Sequence, residues 1–222
     1  MPLVIEAAKT LLLILSALFP IVNPLGGSPV FFSLTTDYNH ETRKALAMRI
    51  ARNSFFLLMG SYLIGTHVLG FFGISIPVVQ VGGGLVVTST GWAMLTRKDD
   101  EERKEVRSQA QPQDPFRQAF YPFTLPLTVG PGSISIAITL GANAHRNGFD
   151  PWAIVVAALA CLVMAVSIYV CYGFSDRLAR FLGPSAMTVI MRLSSFLLVC
   201  IGVQILWNGV SALLATLPLH AH

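Results

Sequence analysis

Two short segments place helix-breaking residues and small polar side chains inside long apolar stretches. The first, FPIVNPLGGSPVFF at 19–32, lies between Lys9 and Asp37, a stretch without any charged residue. The second is YPFTLPLTVGPGSI at 121–134. Proline lacks a backbone N–H and clashes with the preceding helical turn. Each segment is therefore expected to break a helix and to free peptide groups, of which the N–H groups suit an anion and the carbonyls suit a cation.

The two segments share the spacing of their prolines, which are four and then five residues apart in both. An aromatic residue precedes the first proline of each segment, and glycine stands shortly before the third. The matched prolines are Pro20, Pro24 and Pro29 in the first segment and Pro122, Pro126 and Pro131 in the second, at a constant offset of 102 residues. This repetition indicates an internal repeat.

The matched breaks also form the candidate substrate site. Ser28 followed by Pro29 is typical of a helix N-cap with a first-turn proline, and Gly130 followed by Pro131 resembles it. Because the predicted spans hold no charged side chain near their centres, the expected ligand is neutral or zwitterionic, with its carboxylate at N–H groups and its ammonium at freed carbonyls. The predicted substrate-binding residues are Asn23, Pro24, Gly26, Gly27, Ser28, Pro29, Thr124, Pro126, Thr128, Gly130, Pro131, Gly132 and Ser133.

Two other interpretations of these segments stay open. In one, the prolines only kink their helices, and Ser, Thr and neighbouring helices satisfy the freed backbone groups. In the other, each segment is a re-entrant loop, which would change both the number of spans and the orientation of the later helices in the membrane.

Composition identifies the elements that must position the site. Of the 222 residues, 54% are hydrophobic and 12% are charged, against about 25% charged residues in soluble domains. The uncharged runs reach the roughly 20 residues that a transmembrane helix needs, and a Gly/Pro break at 72–77 divides the longest run in two. We expect an all-α membrane protein with six transmembrane helices, at about 10–35, 53–72, 77–96, 118–143, 152–174 and 193–215.

The proline match predicts two three-helix repeats at 1–96 and 116–216, joined by a charged cytoplasmic linker at 97–115, with the first helix of each repeat broken by Pro and Gly. An odd number of spans per repeat makes the second repeat inverted, as in transporters whose substrate binds near the midplane. The third spans also align, with Gly91 on Gly202 and with Gly83 and Gly84 on Ser194 and Ser195. Ordinary small-residue helix packing explains that last similarity equally well.

The basic residues predict the orientation. Thirteen of the fifteen Lys and Arg residues fall in the segments 36–52, 97–117 and 175–192. By the positive-inside rule these segments lie in the cytoplasm, and both termini lie outside. A cleaved signal peptide is disfavoured because Glu6 weakens the positive N-terminal region and no small-residue cleavage site occurs before Pro20. The expected location is the inner (plasma) membrane, crossed several times, with periplasmic termini.

The segments NPLGGSP at 23–29 and PLTVGPGS at 126–133 resemble the paired signatures of the MarC family of bacterial inner-membrane proteins. FGISIP at 72–77 and FLLVCIGVQ at 196–204 extend the resemblance over nearly the whole chain. Some members of that family are described as transporters of small neutral amino acids, so the resemblance implies a transport role. It transfers no individual binding residue.

The sequence thus predicts an integral inner-membrane transporter for small neutral, zwitterionic amino acids or similar solutes, working by alternating access at the two breaks. The alternative is a structural or regulatory membrane protein of the MarC type without a transported substrate. We expect no enzyme, because the chain has no pair of intramembrane carboxylates, no Ser/His/Asp set and no metal-ligand cluster.

The expected partners are a small solute and membrane lipid, without nucleic acid, and a homo-oligomer stays open. No cofactor is expected, although a sodium ion or a proton is left open as the coupling ion. Cys161, Cys171 and Cys200 are interpreted as packing residues in the spans. Gln204 and Asn208 are interpreted as amides that bond between helices.

Overall fold

The computed structural model describes residues 2–96, 116–144 and 150–216, and the predicted linker at 97–115 lies outside them. The described residues are almost entirely helical and contain no strand. The elements are α1 (Pro2–Val22), α2 (Pro24–Leu34), α3 (His40–Phe71), α4 (Ile76–Thr96), a 3₁₀ turn (Arg117–Ala119), a π-helical segment (Phe120–Thr128), α5 (Pro131–Ala144), α6 (Pro151–Gly173) and α7 (Ser175–Leu214).

Five stretches in the described residues are long and apolar enough to cross a membrane: Ile5–Leu34, His40–Phe71, Ile76–Thr96, Pro151–Gly173 and Thr188–Leu214. Arg117–Thr128, which comprises the 3₁₀ turn and the π-helical segment, passes the same test together with α5. The pair is bent by 73° and gives a sixth span if it counts as one. The prediction of an all-helical membrane protein is therefore confirmed, with five to six candidate spans.

Two helices extend beyond their predicted spans into the segments rich in basic residues, 36–52 and 175–192. Helix α3 begins at His40 because Asn39 caps it, with Oδ1 accepting a hydrogen bond from the Thr42 N–H at 2.8 Å. Helix α7 begins at Ser175 and is interrupted at Gly183 (φ 72°, ψ 168°), a conformation that glycine adopts without steric cost.

The core lies between α1, α2, α3 and α6. Its largest fully buried side chains include Phe31, Leu58, Met164 and Tyr172. The outward faces are also apolar, as the high exposure of Phe56 (64%) illustrates. A soluble protein of this size rarely exposes such continuous apolar surface, whereas hydrocarbon solvates it. The outward faces are therefore lipid-facing surfaces.

Helices α4 and α7 pack with their backbones in close approach. A Cβ atom built on Gly84 would lie 2.5 Å from the Leu206 nitrogen and 2.7 Å from the Gly202 carbonyl oxygen. One built on Gly91 would lie 2.8 Å from the Val199 nitrogen. Small residues permit this contact in a membrane, where close van der Waals packing drives helix association. Gly84 and Gly91 therefore lie where α4 and α7 pack backbone to backbone.

Candidate functional site

The first break is a single left-handed residue. Asn23 has φ 44° and ψ 59°, a region that asparagine enters more readily than most residues. Its Oδ1 accepts a hydrogen bond from the Gly26 N–H at 3.1 Å. Helix α2 then begins at Pro24, where the fixed φ and the missing N–H of proline are tolerated.

The prediction that Ser28 and Pro29 cap this helix is wrong. Both residues are buried inside α2, and the cap is Asn23, five residues earlier. Asn23 is the N-cap because asparagine adopts the left-handed conformation and also supplies the capping oxygen. Serine usually caps from an extended backbone. The Ser28 hydroxyl instead donates to the Cys171 carbonyl of α6 at 2.9 Å.

The second break is longer and has a different geometry. Tyr121 (φ −122°, ψ 125°) and Leu125 (φ −114°, ψ 123°) leave the helical region, and each precedes a proline, which disfavours helical geometry in the residue before it. Val129 is also extended (φ −117°, ψ 92°), and its N–H donates to the Thr124 carbonyl at 2.8 Å. Helix α5 begins at Pro131 directly after Gly130, so the predicted helix start is confirmed there.

Equal proline spacing therefore does not give equal backbone geometry. Pro24 opens a new helix, whereas its sequence counterpart Pro126 lies inside the π-helical segment. Pro131 opens α5, whereas its counterpart Pro29 lies inside α2. The difference arises because the left-handed conformation of Asn23 lets the first broken segment resume its helix within one residue.

The hydroxyls predicted to bind substrate already donate to nearby backbone carbonyls. Thr124 Oγ1 donates to the Ala119 carbonyl at 2.6 Å, and Thr128 Oγ1 donates to the Phe123 carbonyl at 2.7 Å. Ser133 Oγ donates to the Gly130 carbonyl at 2.9 Å. These bonds hold the three hydroxyls against the backbone of the second broken segment. Each hydroxyl oxygen keeps lone pairs that can accept a further hydrogen bond.

The two broken segments meet at the phenol of Tyr172. Its Oη lies 3.1 Å from Thr128 Oγ1, and a Cβ atom built on Gly27 would lie 2.5 Å from the same Oη. Since Thr128 donates its only hydroxyl hydrogen to Phe123, Tyr172 is the donor in the bond to Thr128. The phenol of α6 therefore lies between α2 and the second broken segment.

Aromatic side chains fill the remainder of this junction. Phe31 of α2 stacks on Tyr172, with ring centroids 4.7 Å apart and an interplanar angle of 12°. The Phe31 ring also meets the Phe123 ring edge to face, with centroids 5.5 Å apart and an interplanar angle of 72°. All three side chains are buried. We name Phe31, Phe123, Thr128 and Tyr172 the aromatic junction.

Other predicted site residues lie away from this junction. Gly26 packs on α7, because a Cβ atom there would lie 2.7 Å from Ser194 Oγ. Gly132 packs on α4, because a Cβ atom built there would lie 3.6 Å from the Gly83 carbonyl oxygen. Pro126 and Pro131 are exposed. The structure thus brings together Gly27 and Thr128 among the predicted residues, and places Gly26 against α7 and Gly132 against α4.

Sequence reasoning missed Tyr172, although one signal was present. The residue lies near the end of an uncharged span, where tyrosine usually marks the membrane interface. A fully buried tyrosine needs a hydrogen-bond partner, and the matched segments were the nearest concentration of polar groups in the predicted membrane region. The sequence contained no information that would have selected Thr128 from among them.

A second missed residue is Arg43. In the sequence it counted only as one of the basic residues of the predicted cytoplasmic segment 36–52. Its guanidinium is buried and holds the C-terminal end of α2. Nη2 donates to the Thr35 carbonyl at 2.7 Å and to the Tyr38 carbonyl at 2.9 Å, and Nε donates to Thr35 Oγ1 at 3.1 Å. A cation at this end favourably opposes the partial negative charge of the helix terminus.

An ionic cluster at the same end joins α3 to α7. Asp176 Oδ2 lies 3.2 Å from His40 Nδ1 and 3.4 Å from Arg180 Nη2. Burial raises the pKa of the Asp176 carboxyl, but the Arg177 backbone N–H and the charges of His40, Arg180 and Arg43 outweigh it. The pKa of Asp176 is therefore lower than its ordinary value, and the carboxylate is charged at neutral pH.

Long apolar helices and lipid-facing exteriors define a polytopic integral membrane protein. The sequence profile described as MarC family integral membrane protein matches residues 8–214. The chain therefore belongs to the MarC family, which confirms the resemblance noted in the sequence.

Curated relatives agree with this assignment. The chain is 34% identical to the inner membrane protein MarC of Salmonella typhimurium over 208 residues, which cover 91% of this chain and 94% of the relative. It is 31% identical to the protein of the same name from Escherichia coli O139:H28 over 218 residues, which cover 96% and 99%. No solved structure matches the chain. The protein is thus an integral inner-membrane protein of this family.

Proposed function

We propose that the protein is an inner-membrane carrier for small neutral amino acids or similar zwitterionic solutes, which cross by alternating access between its two broken helices. The observation that carries this proposal is the convergence of both broken segments on Tyr172, with Gly27 on one side and Thr128 on the other. The residues at this junction are uncharged. A ligand bound there meets peptide groups and hydroxyls, which suit a zwitterion without net charge.

Helix packing supports the proposed inverted repeat. Helix α3 contacts α6, and α4 contacts α7. Helix α5 contacts α3 and α4, as the first broken span contacts α6 and α7. Exchanging the two halves of the chain reproduces this set of contacts, as a pseudo-two-fold axis in the membrane plane requires.

The glycines between α4 and α7 support the same relation in more detail. The alignment of third spans pairs Gly91 with Gly202, and Gly84 with Ser195. A Cβ atom on Gly91 would lie 2.9 Å from the Ser195 carbonyl oxygen, and one on Gly202 would lie 2.9 Å from the Gly84 carbonyl oxygen. Each contact is therefore the counterpart of the other under the proposed exchange.

The proposed binding groups belong to the second break. Gly132 and Ser133 are buried in the first turn of α5, where backbone N–H groups have no acceptor within the helix. These N–H groups suit the carboxylate of the substrate, while backbone carbonyls near the breaks suit its ammonium group. The stacked Phe31 and Tyr172 fill the junction, so passage of the solute between the two broken segments requires Tyr172 to separate from Thr128.

The proposed orientation places the N-terminal end of α1 and the C-terminal end of α7 at the periplasmic side. The positions 108 and 147 test it, because they fall in loops predicted on opposite sides. We expect a membrane-impermeant maleimide added to intact cells to label Asn147→Cys and not Ser108→Cys, in a background without the native cysteines. The reverse labelling would invert the orientation.

One observation favours the alternative of a structural or regulatory protein without a transported substrate. Thr124, Thr128 and Ser133 already donate to backbone carbonyls, as they would if the prolines only kinked their helices. Under that alternative, the aromatic junction is a packed core between the two halves of the chain and stays closed.

Flux through reconstituted liposomes separates the two proposals. We expect labelled alanine, glycine or serine to cross faster with the protein than without it, and Gly27→Ala to lower that flux by about tenfold, because its methyl group would press on Tyr172. Gly60→Ala is the matched control, since a Cβ atom there meets no atom within 4 Å.

The same liposomes identify the coupling ion when sodium and proton gradients are imposed separately. Absence of flux for a broad solute panel, in both directions and under both gradients, would favour the alternative. Equal flux in Gly27→Ala and Gly60→Ala would remove the junction from the transport path.

A further inference from the structure

Helix α7 carries a polar pair on its lipid-facing side. Gln204 and Asn208 are exposed, and Gln204 Nε2 donates to Asn208 Oδ1 at 2.9 Å. This bond leaves Gln204 Oε1 and Asn208 Nδ2 without a partner among the described residues. Both amides belong to the candidate span Thr188–Leu214, and Gln204 is close to its middle. Hydrocarbon offers no hydrogen bonds, so unpaired amide groups at this depth are unfavourable.

The amides belong to a continuous stripe of exposed side chains. Leu193 (59% exposed) and Leu197 (49%) precede the exposed Cys200 on the same face. At 100° per residue, all three side chains project within about 40° of Gln204, as Asn208 does. The stripe extends about 22 Å along the helix, most of the roughly 30 Å hydrocarbon core. Its spacing of three and four residues is that of a helix-pairing seam.

We infer that this stripe of α7 is the interface at which two copies of the protein associate in the membrane. Copies in one membrane share an orientation, so a two-fold axis along the membrane normal brings the stripe against itself. Asn208 Nδ2 of each copy then donates to Gln204 Oε1 of the other. The pair is self-complementary, because each copy supplies one donor and one acceptor. This inference is independent of the proposed carrier function.

Cys200 reports on the interface directly. In native membranes treated with copper phenanthroline, we expect the unaltered protein to form a cross-linked dimer and Cys200→Ser to form none. Leu162→Cys in the Cys200→Ser background is the matched control, because Leu162 is 51% exposed at the middle of α6. Absence of a dimer through Cys200, or equal cross-linking through Leu162→Cys, would overturn the inference, as would a Cys200 product with the mass of a different protein.

The amides are tested by replacement. Gln204→Leu combined with Asn208→Leu is expected to lower the dimer association constant by about tenfold, since interhelical hydrogen bonds drive pairing in lipid. Thr90→Val is the control, because the exposed Thr90 bonds the Val86 carbonyl of its own helix at 2.8 Å. Unchanged cross-linking of the double variant would overturn the role of the amides.

Mixed copies separate a pairing role from general damage to the helix. A Gln204→Leu copy keeps Asn208, and an Asn208→Leu copy keeps Gln204, so their mixed dimer retains one bond between copies. Each single variant alone retains none. With equal amounts of two differently tagged variants in one membrane, we expect the mixed dimer to exceed the one-half share of all dimers that random pairing gives. A statistical distribution of the three dimers would overturn reciprocal pairing.

Discussion

At the scale of single residues, two buried polar side chains organise the ends of the helices. Tyr172 links the two broken segments through Thr128, and Arg43 holds the carbonyls that end α2. The Tyr172 contact joins residues 44 positions apart, whereas Arg43 bonds residues only five and eight positions away. Both satisfy groups that would otherwise be buried without partners, which costs more than a lost surface bond.

Replacing Tyr172 with phenylalanine tests its hydrogen bond separately from its packing. The variant keeps the stack on Phe31 and loses the bond to Thr128, so we expect the free energy of unfolding to fall by about 1 kcal/mol. Denaturant unfolding in detergent micelles measures the change. Tyr169→Phe on the same helix is the control, because Tyr169 is only half-buried. Equal loss in the two variants would contradict a specific role for the Tyr172 hydroxyl.

The ionic cluster predicts a dependence of stability on pH. Because the pKa of Asp176 is lower in the folded protein than its ordinary 3.8, its contribution is present at neutral pH and is lost as the pH falls through the depressed pKa. We expect the Tm of the unaltered protein to exceed that of Asp176→Asn at pH 7 and the difference to shrink as the pH falls below the ordinary 3.8. A difference that does not shrink below that pH would exclude a charge effect.

At the scale of elements, Asn23 decides where the first broken helix resumes. Asn23→Ala removes the capping oxygen and places alanine at φ 44°, so we expect a loss of about 2 kcal/mol of unfolding free energy. Asn23→Gly tolerates that φ and should lose less than about 1 kcal/mol. The measurement is unfolding in detergent.

Asn39 provides the comparison for Asn23, because it caps α3 from an extended backbone at φ −67°. Asn39→Ala should lose only its cap, about 1 kcal/mol. If Asn23→Gly is as destabilised as Asn23→Ala, the left-handed conformation is not what Asn23 supplies.

At the scale of the whole molecule, α4 and α7 connect the two halves of the chain through backbone contact. A methyl group on Gly84 would meet the backbone of Leu206 and Gly202, which cannot move aside as a side chain can. We therefore expect Gly84→Ala to cost about 1–3 kcal/mol and to lower Tm in detergent. Gly82→Ala lies on the same helix, where a Cβ atom meets nothing within 4 Å, and should leave Tm unchanged. Equal Tm values would refute the close contact.

The sequence alone determined the membrane character, the helical fold, the family and the existence of two breaks. These depend on local properties: the hydropathy of each run, the missing N–H of proline and the motifs at 23–29 and 126–133. The start of α5 at Pro131 was also predictable, because Gly130 and Pro131 leave few alternatives to a new helix.

Only the tertiary structure decided which groups meet. Asn23 rather than Ser28 caps α2, because a left-handed backbone and an amide oxygen act there together. Tyr172 of α6 contacts both Gly27 of α2 and Thr128 of the second broken segment, so three distant parts of the sequence meet there. Such contacts depend on how the helices pack within the whole bundle. The spacing of residues along the sequence does not determine that packing.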